Sequence, residues 1–408
     1  MRILVWAALA ALIATALVVL AYYQDMRRAY DRVDGNSTVI SSVYGDIEYT
    51  DEGSGPDVLV IHGSGGGYDQ GELIAEAVLG DKFHLITPSR FGYLKSTFRE
   101  GATWDDQAHA YALLLDNLGI DKVAVVAMSQ GGPSALLFAV LYPERVSSLT
   151  LISCGVAASS TQDQAGANEK GDMLVTIFKH DILYWAAAKF FKKQLMGLIG
   201  ASDEVVAGLT DEQKRLFERF IDEMNPASLR AAGALFDNKA VMPGERIASI
   251  AAPTLILHAT DDGLQLFHNA EFAAAQIPHA KLIRFEKGGH FLIGLEQPAI
   301  RAAVAGHILG HTGAPWLKSL EPNQLPYAIM QQIGKQNYSL DTLHYELLDA
   351  MEREETRRNE WVVERDADEL TTHAIVMPWQ RGQEEDRRYR KSLGSSLATA
   401  LLLGILVG

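Results

Sequence analysis

One cysteine, Cys154, stands in a chain of 408 residues. It has no second thiol for an intramolecular disulfide and no neighbouring Cys for a zinc site, so it says nothing of redox compartment. Following the strand-like run 149–153, it is expected to be a small buried filler. Cations are also in short supply: 36 Lys and Arg against 51 Asp and Glu leave a formal charge of −15. That balance argues against a nucleic-acid partner, because phosphate binding calls for clustered cationic surface. Charge is absent altogether from Ile3 to Tyr23, convincing strands are absent from 155–249, and no catalytic pattern appears beyond about residue 313. Apolar residues, by contrast, make up 48% of the chain, ample for a sizeable core.

As a helix rising about 1.5 Å per residue, the uncharged stretch 3–23 covers roughly the 30 Å of a bilayer's hydrocarbon. The rival is a cleaved secretory signal, whose apolar part usually runs about 7–15 residues. Val19-Leu20-Ala21 is a poor small-residue cleavage site, so residues 1–24 are read as an uncleaved transmembrane anchor. Tyr22 and Tyr23 are then expected at the interface, with Arg27, Arg28 and Arg32 beyond it in water. Orientation stays open: the three arginines place the body in the cytoplasm, whereas a signal-anchor with Arg2 exports it.

From residue 36 the chain reads as an antiparallel pair, 38–44 and 47–50, then a strand 57–61. Strand-like 83–88, helical 103–118, strand 123–127, helical 133–142 and strand 149–153 follow. Alternation of this kind predicts an α/β fold, a mostly parallel sheet with helices on both faces. Between 155 and 249 only helical stretches appear, notably 173–180, 182–198 and 211–224. Alternation resumes with strand 253–258, a helix near 270–276, strand 281–285 and a last helix after Pro298. The expected organisation is therefore a core of 36–154 plus 250–312 and an inserted helical cap, 155–249, over the sheet's carboxyl edge, where open α/β sheets place ligands.

Ser129, in Ala127-Met128-Ser129-Gln130-Gly131-Gly132, sits where an apolar strand gives way to a helix. A serine on such a sharp turn needs small residues two before and two after it, and Ala127 and Gly131 meet the need. Three further pieces recur in order: His62-Gly63-Ser64-Gly65-Gly66-Gly67, Ser89-Arg90-Phe91-Gly92-Tyr93, and Gly288-Gly289-His290. With these, residues 40–312 resemble the α/β-hydrolase superfamily. The resemblance implies an α/β-hydrolase fold and, in the order nucleophile, acid, histidine, the set Ser129, Asp262 and His290. Asp261 is the alternative acid; the family's Gly-x-x-Asp register, with Ala259 in the glycine's place, selects Asp262.

The chemistry needs these types. A serine hydroxyl is a weak nucleophile until an imidazole takes its proton, and the imidazole in turn needs a carboxylate to hold its tautomer. The oxyanion formed on attack needs two N–H donors. One is assigned to Gln130, the other to Ser64 or Gly65, with family precedent leaning to Ser64. The resemblance gives His62 a turn-shaping role, and Arg90 and Tyr93 that of fixing their loop. Tyr68 and Asp69 are open between pocket lining and solvent. Neither metal nor organic cofactor is called for.

Large apolar cap residues, among them Phe178, Trp185, Phe190, Phe191 and Phe217, are expected to form the cap's own core, with several lining an apolar pocket for acyl or aryl groups. A mixed-charge extension, 313–392, and a short apolar tail, 393–408, complete the chain; the tail is read as a further membrane contact. If the tail spans, the basic cluster 387–391 before it again favours a cytoplasmic body. The leading expectation is a membrane-tethered serine hydrolase for an ester or related acyl bond in a small molecule. The alternatives are C–C bond hydrolysis or perhydrolysis on the same fold, or a non-catalytic binding module. Asp at the nucleophile position marks dehalogenase and epoxide-hydrolase relatives, and Ser129 disfavours both.

Overall fold

The computed structural model describes residues 2–80, 82–157, 162–200 and 203–312. The extension 313–392 and the tail 393–408 lie outside the described residues. Helix α1 (Arg2–Val33) leads into a hairpin of β1 (Thr38–Ser42) and β2 (Gly45–Gly53). Then β3 (Asp57–Ile61), α2 (Tyr68–Val78), β4 (His84–Pro88), α3 (Trp104–Leu118), β5 (Val123–Met128), α4 (Gly132–Leu141) and β6 (Val146–Ile152) alternate. Helices α5 (Gln162–Phe178), α6 (Asp181–Phe190), α7 (Lys192–Leu198), α8 (Asp203–Gly208), α9 (Asp211–Asp222) and α10 (Ala231–Lys239) follow, with no strand among the described residues. The chain then returns through β7 (Thr254–Ala259), α11 (His268–Gln276), β8 (Lys281–Phe285), α12 (Leu292–Leu295) and α13 (Gln297–Thr312).

The eight strands form one sheet in the order β1-β2-β4-β3-β5-β6-β7-β8. β2 pairs antiparallel with β1 and β4, and the other pairs are parallel. Every residue of β5 is buried, which is why this strand reads as an unbroken apolar run rather than an alternating one. Successive side chains still divide between the faces. Val58, Val60, Ala124 and Val126 pack with α2 and α13, while Leu59, Ile61, Val125 and Ala127 pack with α3 and α4. Parallel register, with Ile61 opposite Ala127, brings the carboxyl ends of β3 and β5 side by side. His62 and Ser129, just beyond them, therefore meet at one edge of the sheet.

Three elements depart from the expected pattern. Helix α2 follows the glycine run and was not foreseen; its Leu73, Ile74 and Val78 are nevertheless buried on the sheet. The stretch 182–198 is two helices, broken at Phe191, whose φ of −128° and ψ of 33° leave the helical region. Helix α1 runs on to Val33, well past residue 24, and its end docks on the body: Met26 and Val33 are buried. Arg27 and Arg28 are exposed. Arg32 is not, because it pairs with Asp69 and donates to the carbonyls of Glu223 (2.7 Å) and Asn225 (2.6 Å).

Candidate active site

The β5–α4 turn places Ser129 at φ 55°, a left-handed conformation that non-glycine residues seldom adopt and that holds its hydroxyl above the sheet edge. Gly131 is required beside it: a Cβ there would stand 2.6 Å from the Ile61 carbonyl oxygen. His290, after β8, lies with Nε2 2.9 Å from Ser129 Oγ and Nδ1 2.9 Å from Asp262 Oδ2. A carboxylate can only accept, so Nδ1 carries the proton, and the neutral ring then takes the serine hydroxyl's hydrogen bond at Nε2.

Asp262 Oδ1 accepts from the backbone N–H groups of Leu264 and Gln265, both at 2.9 Å. Burial alone would raise its carboxyl, but His290 and His258 together hold it well below the usual carboxylate range. Asp261 points elsewhere, accepting from the Gly289 N–H at 2.8 Å, and so shapes the turn that carries His290. His258, the neighbour that sequence reasoning missed, donates from Nε2 to the Gln265 carbonyl at 2.7 Å, with Asp262 Oδ2 3.4 Å away. As one more apolar-strand residue of β7 it carried no local signal.

The other expected residues separate by role. His62 is fully buried, accepting at Nε2 from the Arg90 N–H (2.9 Å) and donating from Nδ1 to the Gly63 carbonyl (2.7 Å), so it braces the glycine turn. Burial holds its pKa well below the ordinary histidine value, assisted by the Arg90 charge. Arg90 makes a two-pronged bond to Asp237, 2.7 Å on each arm, and Tyr93 donates to the same carboxylate at 2.6 Å. Tyr68 and Asp69 are buried, neither in solvent nor among the residues lining the cavity. Asp69 binds Arg230 as well as Arg32, because two guanidiniums converge where α2 begins, and Arg230 also donates to the Gly66 carbonyl at 2.7 Å. Neither Arg230 nor Asp237 stood out in the sequence, since each pairs with a residue about 150 positions away.

A cavity of about 570 Å³ opens above Ser129 and His290. Ser64 and Gln130 line it; Gly65 does not, and its φ of 75° sets it against Phe178 and Met224. Ile74, Val175, Phe178, Phe220 and Met224 make one part apolar, while Gln130, Asn168, Gln265 and Asn269 supply amides. The Gln130 side-chain oxygen is buried with no hydrogen-bond partner among the described residues. Lysine and arginine are missing from the described lining, whose charged side chains are Asp172 and Asp237.

The cap reaches the candidate histidine through Gly200. The Gly200 carbonyl accepts from the His290 N–H at 3.1 Å, and a Cβ at Gly200, where φ is 90°, would lie 2.6 Å from the His290 Cβ. Gly200→Val is expected to displace the imidazole and lower kcat about 100-fold on a soluble ester, given how steeply rate depends on placement. A steady-state assay at matched folded fraction checks it.

The sequence model described as the alpha/beta hydrolase fold matches residues 56–297. A hydrolase of Bacillus subtilis, YcgS, itself uncharacterised, is 30% identical over 281 residues, 65% of this chain and 94% of its own. The 2-hydroxy-6-oxononadienedioate/2-hydroxy-6-oxononatrienedioate hydrolase of Burkholderia vietnamiensis is 30% identical over 60% of this chain and 84% of its own. In fold the chain is similar to a thermophilic esterase from Thermogutta terrifontis, with a TM-score of 0.54 at 20% identity, covering 68% of this chain and 99% of that one. A match across more than half the sequence settles the family, and the sheet order fits it: the chain belongs to the alpha/beta hydrolases.

Proposed function

We propose that the protein is a serine hydrolase for uncharged esters, tethered to a membrane by α1. The observation that carries the mechanism is the His290 ring, 2.9 Å from both Ser129 Oγ and Asp262 Oδ2. Ser129 Oγ attacks the ester carbonyl carbon while His290 Nε2 takes its proton; Asp262 stabilises the imidazolium. The oxyanion is received by the backbone N–H of Gln130 and one from the glycine turn, with Ser64 favoured because it lines the cavity. The C–O bond then breaks, His290 returns the proton to the departing alcohol, and water repeats the sequence on the acyl-enzyme.

The lining supports a neutral substrate over the C–C alternative. A dioate of the kind named for the Burkholderia relative carries two carboxylates, and burying them without a cation is costly. The buried guanidiniums of Arg90 and Arg230 are already neutralised by Asp237 and Asp69, and Lys170 donates to the Gly263 carbonyl. Expected, therefore, are fluorophosphonate labelling that Ser129→Ala abolishes, and kcat/KM for p-nitrophenyl esters rising up to about fourfold per added methylene until the cavity is full. Equal labelling of wild type and Ser129→Ala, or faster turnover of a 2-hydroxy-6-oxo dioate than of any ester, overturns the reading.

Tethering rests on α1. It is long and apolar enough to span a bilayer, and none of its most apolar 18-residue window is buried by the protein, unlike a soluble core helix. Beyond that window α1 continues unbroken into the segment that docks on the body, so anchor and enzyme share one helix.

A further inference from the structure

Phe190 and Phe191 were expected in the cap core or the pocket, yet they are 56% and 57% exposed. Their position relative to α1 gives a reason. Helix α6 lies against the end of α1: Tyr30 donates to Asp181 (2.8 Å), and Asp25 accepts from Trp185 (3.0 Å) and Lys189 (2.9 Å). Tyr22 packs edge-on against Trp185, and Trp185 against Phe190, with ring centroids 5.3 and 5.5 Å apart. Later residues of α6 thus contact earlier residues of α1, so the two run antiparallel. Carried nine residues beyond Asp181 at about 1.5 Å per residue, α6 brings Phe190 level with about Ala21 of α1. That is where the uncharged run 3–23 ends.

We propose that the Phe190–Phe191 corner is a second membrane contact, inserted into the interfacial layer of the leaflet next to α1. The inference rests on α1 being a membrane anchor and adds to it a surface of the cap. Aromatic side chains at this depth bury their rings while the backbone stays in the polar layer. The Phe191 break turns the chain away, so α7 begins with Lys192 and Lys193 rather than continuing inward. Tyr184, earlier on α6, packs on Phe178 with centroids 5.1 Å apart, and Phe178 lines the cavity. The corner therefore holds the cavity-forming part of the cap beside the bilayer, where an ester with a long acyl chain resides.

The test uses the full chain in phosphatidylcholine vesicles, with an environment-sensitive fluorophore at Leu12→Cys, Phe190→Cys or Val43→Cys and quenching by spin-labelled lipid. Cys154 is buried and its thiol is pushed far above the ordinary range, so it does not compete for label. Expected is strong quenching at 12, at least about half as much at 190, and none at 43, which is 77% exposed on the β1–β2 turn. Quenching at 12 with 190 matching 43 overturns the proposal while the anchor stands. Quenching at neither 12 nor 190 removes the anchor and the inference with it. A second variant reads function: Phe190→Asp with Phe191→Asp should lower turnover of a vesicle-borne long-chain ester about tenfold and leave a soluble butyrate ester within twofold. Equal loss on both substrates, or on neither, counts against it.

Discussion

Ser129→Ala is expected to lower kcat on an ester by about 10⁶-fold, and His290→Ala by a similar factor, because the two act as one unit. Asp262→Asn should cost about 10⁴-fold, since the amide no longer fixes the Nδ1–H tautomer that points Nε2 at Ser129. Combining Ser129→Ala with Asp262→Asn should cost no more than Ser129→Ala alone, which sets this unit apart from three independent contributions. Asp261→Asn is the informative control. Asp261 accepts from Gly289 and the more distant Gly288 N–H, not from the ring, so its loss should cost less than about tenfold through a looser His290 turn. A larger effect at 261 than at 262 reverses the assignment of the acid.

Ser129, Asp262 and His290 were legible as candidates because each follows a strand whose apolar run can be read locally, and parallel register then brings the strand ends together. Residues 123–127 and 253–258 needed no tertiary information to be seen as strands. The family's Gly-x-x-Asp register selected Asp262 over Asp261, and it is Asp262 that lies against the His290 ring. Helix α2 was missed because its start is hidden by Gly65-Gly66-Gly67, and glycine weakens every local helix signal. The fate of Asp69 was unreadable for another reason. A lone carboxylate beside a glycine run looks solvated unless the cations 37 and 161 positions away are known to converge on it. The same holds for Phe190 and Phe191: an apolar pair reads as core until the structure places it, exposed, beside the end of α1.

Asp69 joins α1 to the glycine turn before α2, and its removal should have the largest effect on stability. Its carboxylate is buried between Arg230, fully buried, and Arg32, 28% exposed. Burial alone would raise this carboxyl; Arg230 and then Arg32 bring it down to about 2. Asp69→Ala leaves Arg230 desolvated with no carboxylate opposite, and breaking a buried pair from one side typically costs about 3–5 kcal/mol. In a body this size that corresponds to a fall in Tm of roughly 5–15 °C, measured by thermal unfolding in detergent. Arg32→Ala, which leaves Asp69 its more buried partner, should cost about 1–2 kcal/mol. The pH dependence carries its own sign. A carboxyl lowered on folding contributes fully above its unfolded value of about 3.9, and that contribution disappears as pH falls toward 2. The stability gap between wild type and Asp69→Ala should therefore be constant from pH 5 to 8 and close below pH 4. Because Arg230 also holds the Gly66 carbonyl, loosening the network should move the glycine turn proposed to receive the oxyanion as well. Asp69→Asn, assayed where it remains folded, is expected to lose kcat about tenfold with KM little changed, since misplaced oxyanion donors weaken the transition state more than the bound substrate. A variant that lost stability but kept full kcat would show α1 to be joined to the fold alone, and not to the turn proposed to receive the oxyanion.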